Sequence, residues 1–268
     1  MIKNQRLTEL RKIENKYLQY FAVVEEHKHF IRFTDNKLPS MYSHNCVLLK
    51  ETLDGEEIHQ QIKVLFTEAQ EHNARHLYIV LHPNHAFAMN EWEADLFDLS
   101  SLLYMTVSLD QYRGIKPNTD CTVYEATTPS LHKDAEWCDI VASLLEGEEY
   151  VNYEFAHQRA SRKRPVFEHQ TPVLSQYVAY LNKLPVGKCE VSFHHDILRP
   201  ESFSVVDGFQ RKGIGTAILN KIVVDGKRRG CQELFIIADS NDTAKEMYKK
   251  MGFQVIGVEY HLLWMKCK

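Results

Sequence analysis

The sequence predicts an α/β protein that is built from two different parts. Helical and strand-like patterns alternate along the chain, so sheets with helices packed on them are expected. Only Gly55 and Gly114 precede residue 118, whereas the other nine of the eleven glycines follow it. Residues 113–120, RGIKPNTD, collect Gly, Pro, Asn and Asp between two apolar runs. We therefore predict domains at 1–118 and 119–268.

The first part has the pattern of an α/β domain without a glycine-rich turn. Apolar residues recur at helical spacing in residues 61–73, and residues 76–83 form a short apolar run that ends at a proline. A helix at 91–98 and a strand at 101–109 are predicted next. Because no glycine turn opens a helix here, residues 1–118 show no evident phosphate site.

The second part has a clearer order of strands and helices. Strand patterns lie at 121–126, 173–181, 187–195, 202–206, 233–239 and 253–266. Helical patterns lie at 131–147, 213–225 and 242–251, and the last is followed by Gly252 as a C-cap. These elements predict a mixed sheet with helices packed on it.

The composition excludes several classes of protein. A net charge of −4 and a pI near 6.4 leave no basic footprint for nucleic acid. The one dense basic run, residues 159–164, is expected to be a solvated loop beside the acidic residues 146–150. No apolar stretch approaches the roughly 18 residues of a membrane span, and the N-terminus lacks an apolar signal region. We expect a cytoplasmic protein without a nucleic-acid or membrane partner.

The cysteines and histidines do not indicate a metal. The six cysteines are scattered and include no C-x-x-C pair, so neither a disulfide framework nor a zinc site is expected. The histidines lack the H-E-x-x-H spacing of zinc enzymes. We expect reduced thiols and no metal cofactor.

A glycine-bearing turn opens the helix that is predicted at 213–225. It reads Gln210, Arg211, Lys212, Gly213, Ile214, Gly215, Thr216. Glycines let a backbone approach an anion, and the first N–H groups of a helix lack partners within the helix. With the helix dipole behind them, such groups favour a pyrophosphate. A tight strand-to-helix connection needs the same glycines for steric reasons alone, and spacing does not separate the two interpretations.

Two other phosphate-binding motifs are excluded by spacing. The pattern G-x-x-x-x-G-K-[ST] of a Walker loop is absent. The third glycine of the dinucleotide pattern G-x-G-x-x-G is also missing, because position 218 is Ile218. The expected ligand is therefore neither ATP on a Walker loop nor NAD.

These residues resemble the GNAT superfamily of N-acetyltransferases. The family pattern Q/R-x-x-G-x-G/A is met by Gln210, Gly213 and Gly215. A second pattern, N-x-x-A-x-x-x-Y-x-x-x-G-F, is met by residues 241–253, after a predicted strand that ends near Asp239. The resemblance covers 119–268, although Asp207 stands where many members have proline.

The resemblance implies a fold for the whole chain. Residues 119–268 would form a mixed, mostly antiparallel sheet flanked by helices. Residues 1–118 would form a second, smaller α/β domain that precedes it, compatible with a degenerate copy of the same domain as in tandem members. That copy would lack a coenzyme motif.

The resemblance also implies the site that binds acetyl-CoA. In the family, two central strands splay apart beside the turn and bind the pantetheine arm. The backbone of Val205 and Val206 would bind this arm and polarise the thioester carbonyl. The amides of residues 211–216 would hold the pyrophosphate. Asn241 and Ala244, from the second pattern, would lie along the arm, and Asn241 has the alternative role of a helix N-cap.

In this family a neutral amine attacks the thioester directly, without a covalent enzyme intermediate. Tyr248 would then protonate the departing thiolate, whereas its alternative role is that of a core tyrosine. Because an alkyl amine with a pKa of about 10 is mostly protonated at neutral pH, a general base is needed.

Glu201 is our first choice for the base. It opens a predicted strand, on which residues 201, 203 and 205 would share one face. Glu190, His195 and Asp196 on the preceding hairpin are the alternatives, and each is expected to lie at the surface.

The predicted function is transfer of an acetyl group from acetyl-CoA to a primary amine of a small molecule or peptide, in a ternary complex. Glu146, Glu148, Glu149 and Glu154 favour a cationic amine if they line the acceptor site, but a solvated loop explains them equally well. The alternative function is that of a non-catalytic acyl-CoA-binding or regulatory protein that keeps the turn. A homodimer is compatible with either function.

Overall fold

The computed structural model describes residues 2–145, 152–169 and 173–266. By their contacts the residues form two compact units, and each unit is discontinuous in sequence. The first unit comprises Met1–Met105, Ile237–Lys245 and Val255–Lys268. The second unit comprises Thr106–Ile236 and Glu246–Gln254.

Helices and strands alternate along the described residues. The helices are α1 (Ile2–Gln19), α2 (Gly55–Glu71), α3 (Glu91–Ala94), α4 (Pro129–Leu145), α5 (Tyr153–His169), α6 (Ile214–Arg228) and α7 (Ala244–Lys250). The strands are β1 (Val23–Glu26), β2 (Phe30–Thr34), β3 (Val47–Leu49), β4 (His76–Val80), β5 (Asp98–Ser108), β6 (Cys121–Glu125), β7 (Leu174–Leu181), β8 (Leu184–His194), β9 (Ile197–Val205), β10 (Glu233–Asp239) and β11 (Gln254–Met265). The predicted fold class, a mixed and mostly antiparallel sheet flanked by helices, is confirmed.

The first unit contains the strand order β1-β2-β3-β4-β11-β5. β3 and β4 run parallel, whereas β2 is antiparallel to both of its neighbours and β11 is antiparallel to β4. The C-terminal strand therefore belongs with residues from the start of the chain. The single boundary near residue 118 stays a prediction, which a folding test of separate fragments would address.

Helix α2 shows how the sequence builds this unit. Asp54 caps the helix by accepting a hydrogen bond from Glu57 N at 2.9 Å, and the side chain of Glu57 accepts one from Asp54 N at 3.0 Å. Ile58, Ile62 and Leu65 follow at helical spacing and are buried in one apolar cluster with β4. The helix and strand predicted at 61–73 and 76–83 are thereby confirmed.

Other parts of the first unit differ from the sequence-based expectation. The helix predicted at 91–98 ends at Ala94, and Asp98 already begins β5. Helix α1 was not predicted, although Leu7, Leu10 and Tyr17 are buried at helical spacing. Their periodicity is the signal that would have found it.

The second unit contains the strand order β10-β9-β8-β7-β6. β9 and β10 run parallel, and the remaining neighbours are antiparallel. Helices α4 and α5 pack together, and both they and α6 contact the strands of this unit. The strands and helices predicted between residues 121 and 251 are present, although the end of β10 and the start of α7 belong to the first unit. Helix α5 was not predicted.

Helix α5 corrects the expectation of a solvated loop at 159–164. Phe155, Ala160, Lys163 and Phe167 are buried on one side of this helix, at spacings of three to five residues. The basic run is therefore part of an amphipathic helix, and its one lysine, Lys163, points inward. A dense run of charges hid this periodicity.

No disulfide bond joins the cysteines of the described residues. Cys46, Cys121, Cys138, Cys189 and Cys231 are free thiols, whereas Cys267 lies outside the described residues. None of the helices in the described ranges has both the length and the apolar character needed to cross a bilayer. No cluster of His, Cys, Asp and Glu there is arranged to hold a metal ion.

Gly226 lies where α6 crosses β9, and a Cβ atom at this position would overlap the Leu198 side chain. We expect Gly226→Ala to lower the free energy of unfolding by about 1–3 kcal/mol, because the cost of overpacking exceeds the gain in helix propensity. Gly55→Ala is the matched control, since no atom lies within 4 Å of its added Cβ. Equal melting temperatures for the two variants would contradict this packing.

Candidate active site

The parallel strands β9 and β10 pair only where they begin. Ile197 lies opposite Glu233, and Leu198 lies opposite Leu234. Beyond this point β9 continues to Val205, and its other edge stays paired with β8 as far as Gly187. Among the described residues, the pairing of the two parallel strands thus ends after Leu198. This agrees with the divergence of strands that the family resemblance implies.

A β-bulge interrupts β9 next to this divergence. Glu201 lies opposite Glu190, and Ser204 lies opposite Lys188, so β9 has one more residue than β8 between these pairs. The bulge contains Ser202, whose φ of 45° is in the left-handed region. For a residue other than glycine this conformation costs about 1–2 kcal/mol, so other interactions must offset it.

The bulge changes which side chains share a face. Phe203 and Val205 both approach the position of a Cβ on Gly215, at 3.3 and 3.9 Å, so they face α6. Glu201 is paired with Glu190 and belongs to the other face. The expectation that residues 201, 203 and 205 share one face is therefore wrong, because the extra residue shifts the two-residue alternation.

A cluster of buried ionic groups lies on the face opposite α6, and we call it the buried ion cluster. Its members are Asp139 of α4, Arg159 and Lys163 of α5, and Lys188 and Glu190 of β8. Lys188 Nζ lies 2.6 Å from Asp139 Oδ1 and 2.7 Å from Glu190 Oε1. Since each element contributes a charge, the cluster joins two helices to the sheet.

Ser202 connects the bulge to this cluster. Lys188 Nζ lies 2.8 Å from Ser202 Oγ, and Lys163 Nζ lies 3.3 Å from the same oxygen. Hydrogen bonds from charged donors are among the stronger ones in proteins. They offset the cost of the left-handed backbone at Ser202 and hold the bulge in place.

The charges of the cluster shift one another's pKa. Burial alone would raise the pKa of Asp139, but Lys188, Lys163 and Arg159 outweigh it and hold that pKa well below its usual range. Burial opposes ionisation of Glu190 in the same way, and the two lysines lower its pKa. Burial would lower the pKa of Lys188, whereas the two carboxylates raise it. Asp139, Glu190 and Lys188 are therefore ionised at neutral pH.

The predicted turn has the geometry of an anion-binding helix N-terminus. Gly213 has a φ of 76° and directly precedes α6, whose first residue is Ile214. Arg211 also has a left-handed backbone, with a φ of 58°. Arg211 and Lys212 are exposed, and Gln210 Nε2 donates to Val205 O at 3.4 Å. Two cationic side chains thus stand beside N–H groups that the helix does not use.

Steric limits at this turn explain its glycines. A Cβ on Gly213 would lie 2.8 Å from Asn118 N, which is closer than real Cβ atoms approach. Its left-handed backbone independently disfavours a side chain. Gly215 is close to Phe203, so a side chain there would also displace the strand. Thr216 is buried and continues the first turn of α6.

Tyr248 lies on α7 and belongs to the second unit, together with the turn. Its side chain is only 8% exposed, and its ring lies 5.6 Å from that of Phe253, measured between centroids. Gly252, which follows α7, has a φ of 99° and is the left-handed C-cap that the sequence predicts. Tyr248 therefore makes a packing contact of the kind that a core tyrosine makes.

Asn241 and Ala244 belong to the first unit. Asn241 is exposed, and its backbone N donates to Asp239 Oδ1 at 2.7 Å. At the start of α7, Ala244 N donates to Asp242 Oδ1 at 3.1 Å. The capping side chain is therefore Asp242, and the alternative role of Asn241 as an N-cap is not seen.

The candidate bases occupy different environments. Glu201 is partly exposed and forms an ion pair with Arg199. Glu190, which was expected at the surface, is fully buried in the ion cluster. His195 and Asp196 lie in the turn that precedes β9, at the end of the strand opposite Val205. At about 3.3 Å per residue, they are roughly 25–30 Å from Val205, the end of β9 that leads to the Gly213 turn.

Most of the acidic residues that were considered for the acceptor site lie outside the residues that the structure describes. Glu146, Glu148 and Glu149 lie outside the described residues. Glu154 is exposed in the first turn of α5, where Gln158 Nε2 donates to it at 3.1 Å. Its position is that of a solvated side chain.

The part of the chain that contains this site is similar to a known family. Residues 174–255 match the family model described as Acetyltransferase (GNAT) domain. The match includes the bulge of β9, the turn, α6 and α7. This part of the chain is therefore a match to the acetyltransferase (GNAT) domain, as the two sequence patterns indicate.

Relatives extend the similarity to nearly the whole chain. The Uncharacterized N-acetyltransferase CgeE of Bacillus subtilis (strain 168) is 24% identical over 249 residues, which are 91% of this chain and 92% of that protein. A functionally unknown conserved protein from Staphylococcus epidermidis ATCC 12228 has a TM-score of 0.73 at 18% identity, over 92% of this chain and 95% of that one. The GCN5-related N-acetyltransferase from Kribbella flavida has a TM-score of 0.68 at 10% identity, over 97% and 95%. At these identities the structures show a shared fold.

Removal of one charge tests the buried ion cluster. Lys188→Met leaves Asp139 and Glu190 short of a partner, so we expect a loss of about 3–5 kcal/mol in unfolding free energy at pH 7. Because the pKa values of both carboxyls are lowered by folding, their ion pairs stabilise the protein above pH 4.5, the ordinary value for Glu. Their contribution disappears as the pH falls through the lower folded-state values, and the deficit of the variant should shrink with it.

Lys249→Met is the control for this experiment. Its amine is half exposed and pairs with Glu246 one turn away on α7, at 2.8 Å. Removal of an exposed pair typically costs less than about 1 kcal/mol. Chemical denaturation of both variants at pH 7 and at about pH 2.5, well below the ordinary pKa values of both carboxyls, gives the comparison. Equal losses for the two lysines at pH 7 would contradict the role of the cluster.

Proposed function

We propose that this protein transfers an acetyl group from acetyl-CoA to a primary amine. The observation that carries the proposal is the left-handed Gly213 turn, which opens α6 directly after the strand that leaves its parallel neighbour. The match of residues 174–255 to the acetyltransferase (GNAT) domain supports the same donor. The acceptor is an amine of a small molecule or peptide.

In this proposal the turn holds the pyrophosphate of acetyl-CoA. The N–H groups between Arg211 and Thr216 donate to the phosphate oxygens, and the dipole of α6 adds a favourable field. The backbone of Val205 and Val206 lies along the pantetheine arm. Because Val206 N already donates to Val186 O at 2.9 Å, the N–H of Val205 is the one assigned to polarise the thioester carbonyl. The family roles of Asn241 and Ala244 stay predictions. Residues 119–268 are proposed to contain the residues that contact the coenzyme.

The chemical step is a direct attack of the neutral amine on the thioester carbon. The C–N bond forms as the C–S bond breaks, the amine loses one proton to a base, and the thiolate gains one from an acid. We assign the acid to Tyr248, which lies on the family's second pattern. We assign the base to Glu201, whose carboxylate is partly exposed and is held by Arg199.

The second candidate function is that of an acyl-CoA-binding or regulatory protein without turnover. The burial of Tyr248 against Phe253 favours it, because a tyrosine that only packs needs no proton to give. An amine panel that monitors release of free thiol from acetyl-CoA separates the two functions. Binding without thiol release for every amine would support the second.

Gly213→Val tests the coenzyme site. A branched side chain at this left-handed position would collide with Asn118 and displace the turn, so affinity for CoA should fall at least about 100-fold. Gly230→Val is the matched control, because Gly230 has a φ of 86° with no atom within 4 Å of an added Cβ. Calorimetric titration with CoA measures both variants. A folded Gly213→Val protein with wild-type affinity would remove the turn from the site.

Tyr248→Phe tests the acid. The substitution keeps the ring that packs on Phe253 and removes only the hydroxyl. A positioned acid contributes about 10²–10⁴-fold in rate, so kcat should fall by that range with unchanged affinity for acetyl-CoA.

Tyr112→Phe is the control for that substitution, since it removes a hydroxyl that bonds to Asn220 at 2.8 Å in the same unit. Its kcat should stay within about twofold of wild type, because this hydroxyl has no role in the proposed chemistry. Turnover of Tyr248→Phe within the same twofold would show that the tyrosine only packs.

A further inference from the structure

The segment that joins β5 to β6 is attached to the turn and to α6. Residues 113–118 contain no helix or strand, yet several hydrogen bonds fix them within the second unit. Arg113 N donates to Met251 O at 2.9 Å, and Asn220 Nδ2 of α6 donates to Ile115 O at 3.4 Å. From the sequence alone, this stretch is predicted to be the joint between two domains.

Asn118 makes two contacts with consecutive carbonyls of the turn. Its side-chain Nδ2 donates to Lys212 O at 3.0 Å, and its backbone N donates to Gly213 O at 3.4 Å. Its own Oδ1 accepts from Asp120 N at 2.9 Å, which fixes the orientation of the amide. The residue therefore holds the carbonyl side of the turn with two donors.

The geometry of the peptide bond turns this contact into an orientation of the amides. In a planar trans peptide, the C=O and the N–H point in opposite directions. When Asn118 binds the carbonyls of Lys212 and Gly213, the N–H groups of Gly213 and Ile214 point to the other side of the turn. These are the donors that an anion at the N-terminus of α6 would use.

We propose that Asn118 is a positioning residue for pyrophosphate binding. It does not contact the coenzyme but holds the amides of Gly213 and Ile214 toward it, so the ligand meets preformed donors. Asn118 lies outside the residues that match the family model, 174–255. The inference rests on the proposed function, and it adds to the proposed coenzyme site a supporting residue from the segment before β6.

A pair of acetyl donors tests this role. Acetyl-CoA contains the pyrophosphate, whereas S-acetylpantetheine has the same thioester and arm without it. Asn118→Ala removes the Nδ2 donor but keeps the backbone N–H. We expect kcat/KM for acetyl-CoA to fall about five- to tenfold, through KM, as for the loss of one hydrogen bond. The value for S-acetylpantetheine should stay within about twofold of wild type.

Asn220→Ala is the matched control, because its amide holds the same segment at Ile115 and does not touch the turn. It should leave the ratio of the two donors unchanged. Calorimetric titration with CoA gives a readout that needs no acceptor, and Asn118→Ala should show the same five- to tenfold loss of affinity there.

Each outcome bears on a different claim. An equal loss for both donors, or no loss for either, would overturn the positioning role of Asn118. A wild-type protein that binds no CoA and releases no thiol from acetyl-CoA would instead overturn the proposed function. A selective loss for acetyl-CoA supports both.

Discussion

The extra residue in β9 is the constraint on which the candidate site depends. A strand with regular alternation would place Glu201, Phe203 and Val205 on one face. The bulge at Ser202 instead turns Phe203 and Val205 toward α6 and leaves Glu201 on the other side. Bulges re-aim side chains in this way at many active sites. Here the bulge lies between the early end of the β9–β10 pairing and the turn that opens α6.

Buried charges hold this irregular strand in place, and they do so at a cost. Removing ions from water is expensive, so a buried salt bridge is weak evidence for added stability. The arrangement is instead specific, because Lys188 reaches Asp139, Glu190 and the hydroxyl of Ser202 at once. An apolar replacement would fill the space but would not bind Ser202. We interpret the cluster as the element that fixes the bulge against α4 and α5.

The sequence predicted the parts of the site that depend on local conformation. A glycine before an apolar helix needs only a left-handed backbone and a free helix N-terminus, and both are present at Gly213. Long-range features were not predictable in this way. The bulge at Ser202, the burial of Lys163 and the two bonds from Asn118 arise from contacts between distant segments. The alternation argument for Glu201 failed because one inserted residue changes the face of all that follow.

The two units differ in the feature on which the proposed coenzyme site depends. All four glycines with a left-handed backbone in the described residues belong to the second unit, and the parallel strands β3 and β4 of the first unit are not joined to a helix by such a turn. Titration of acetyl-CoA into the full-length protein by calorimetry tests this most directly. Our account predicts one coenzyme bound per chain, whereas no binding, or two coenzymes per chain, would contradict it.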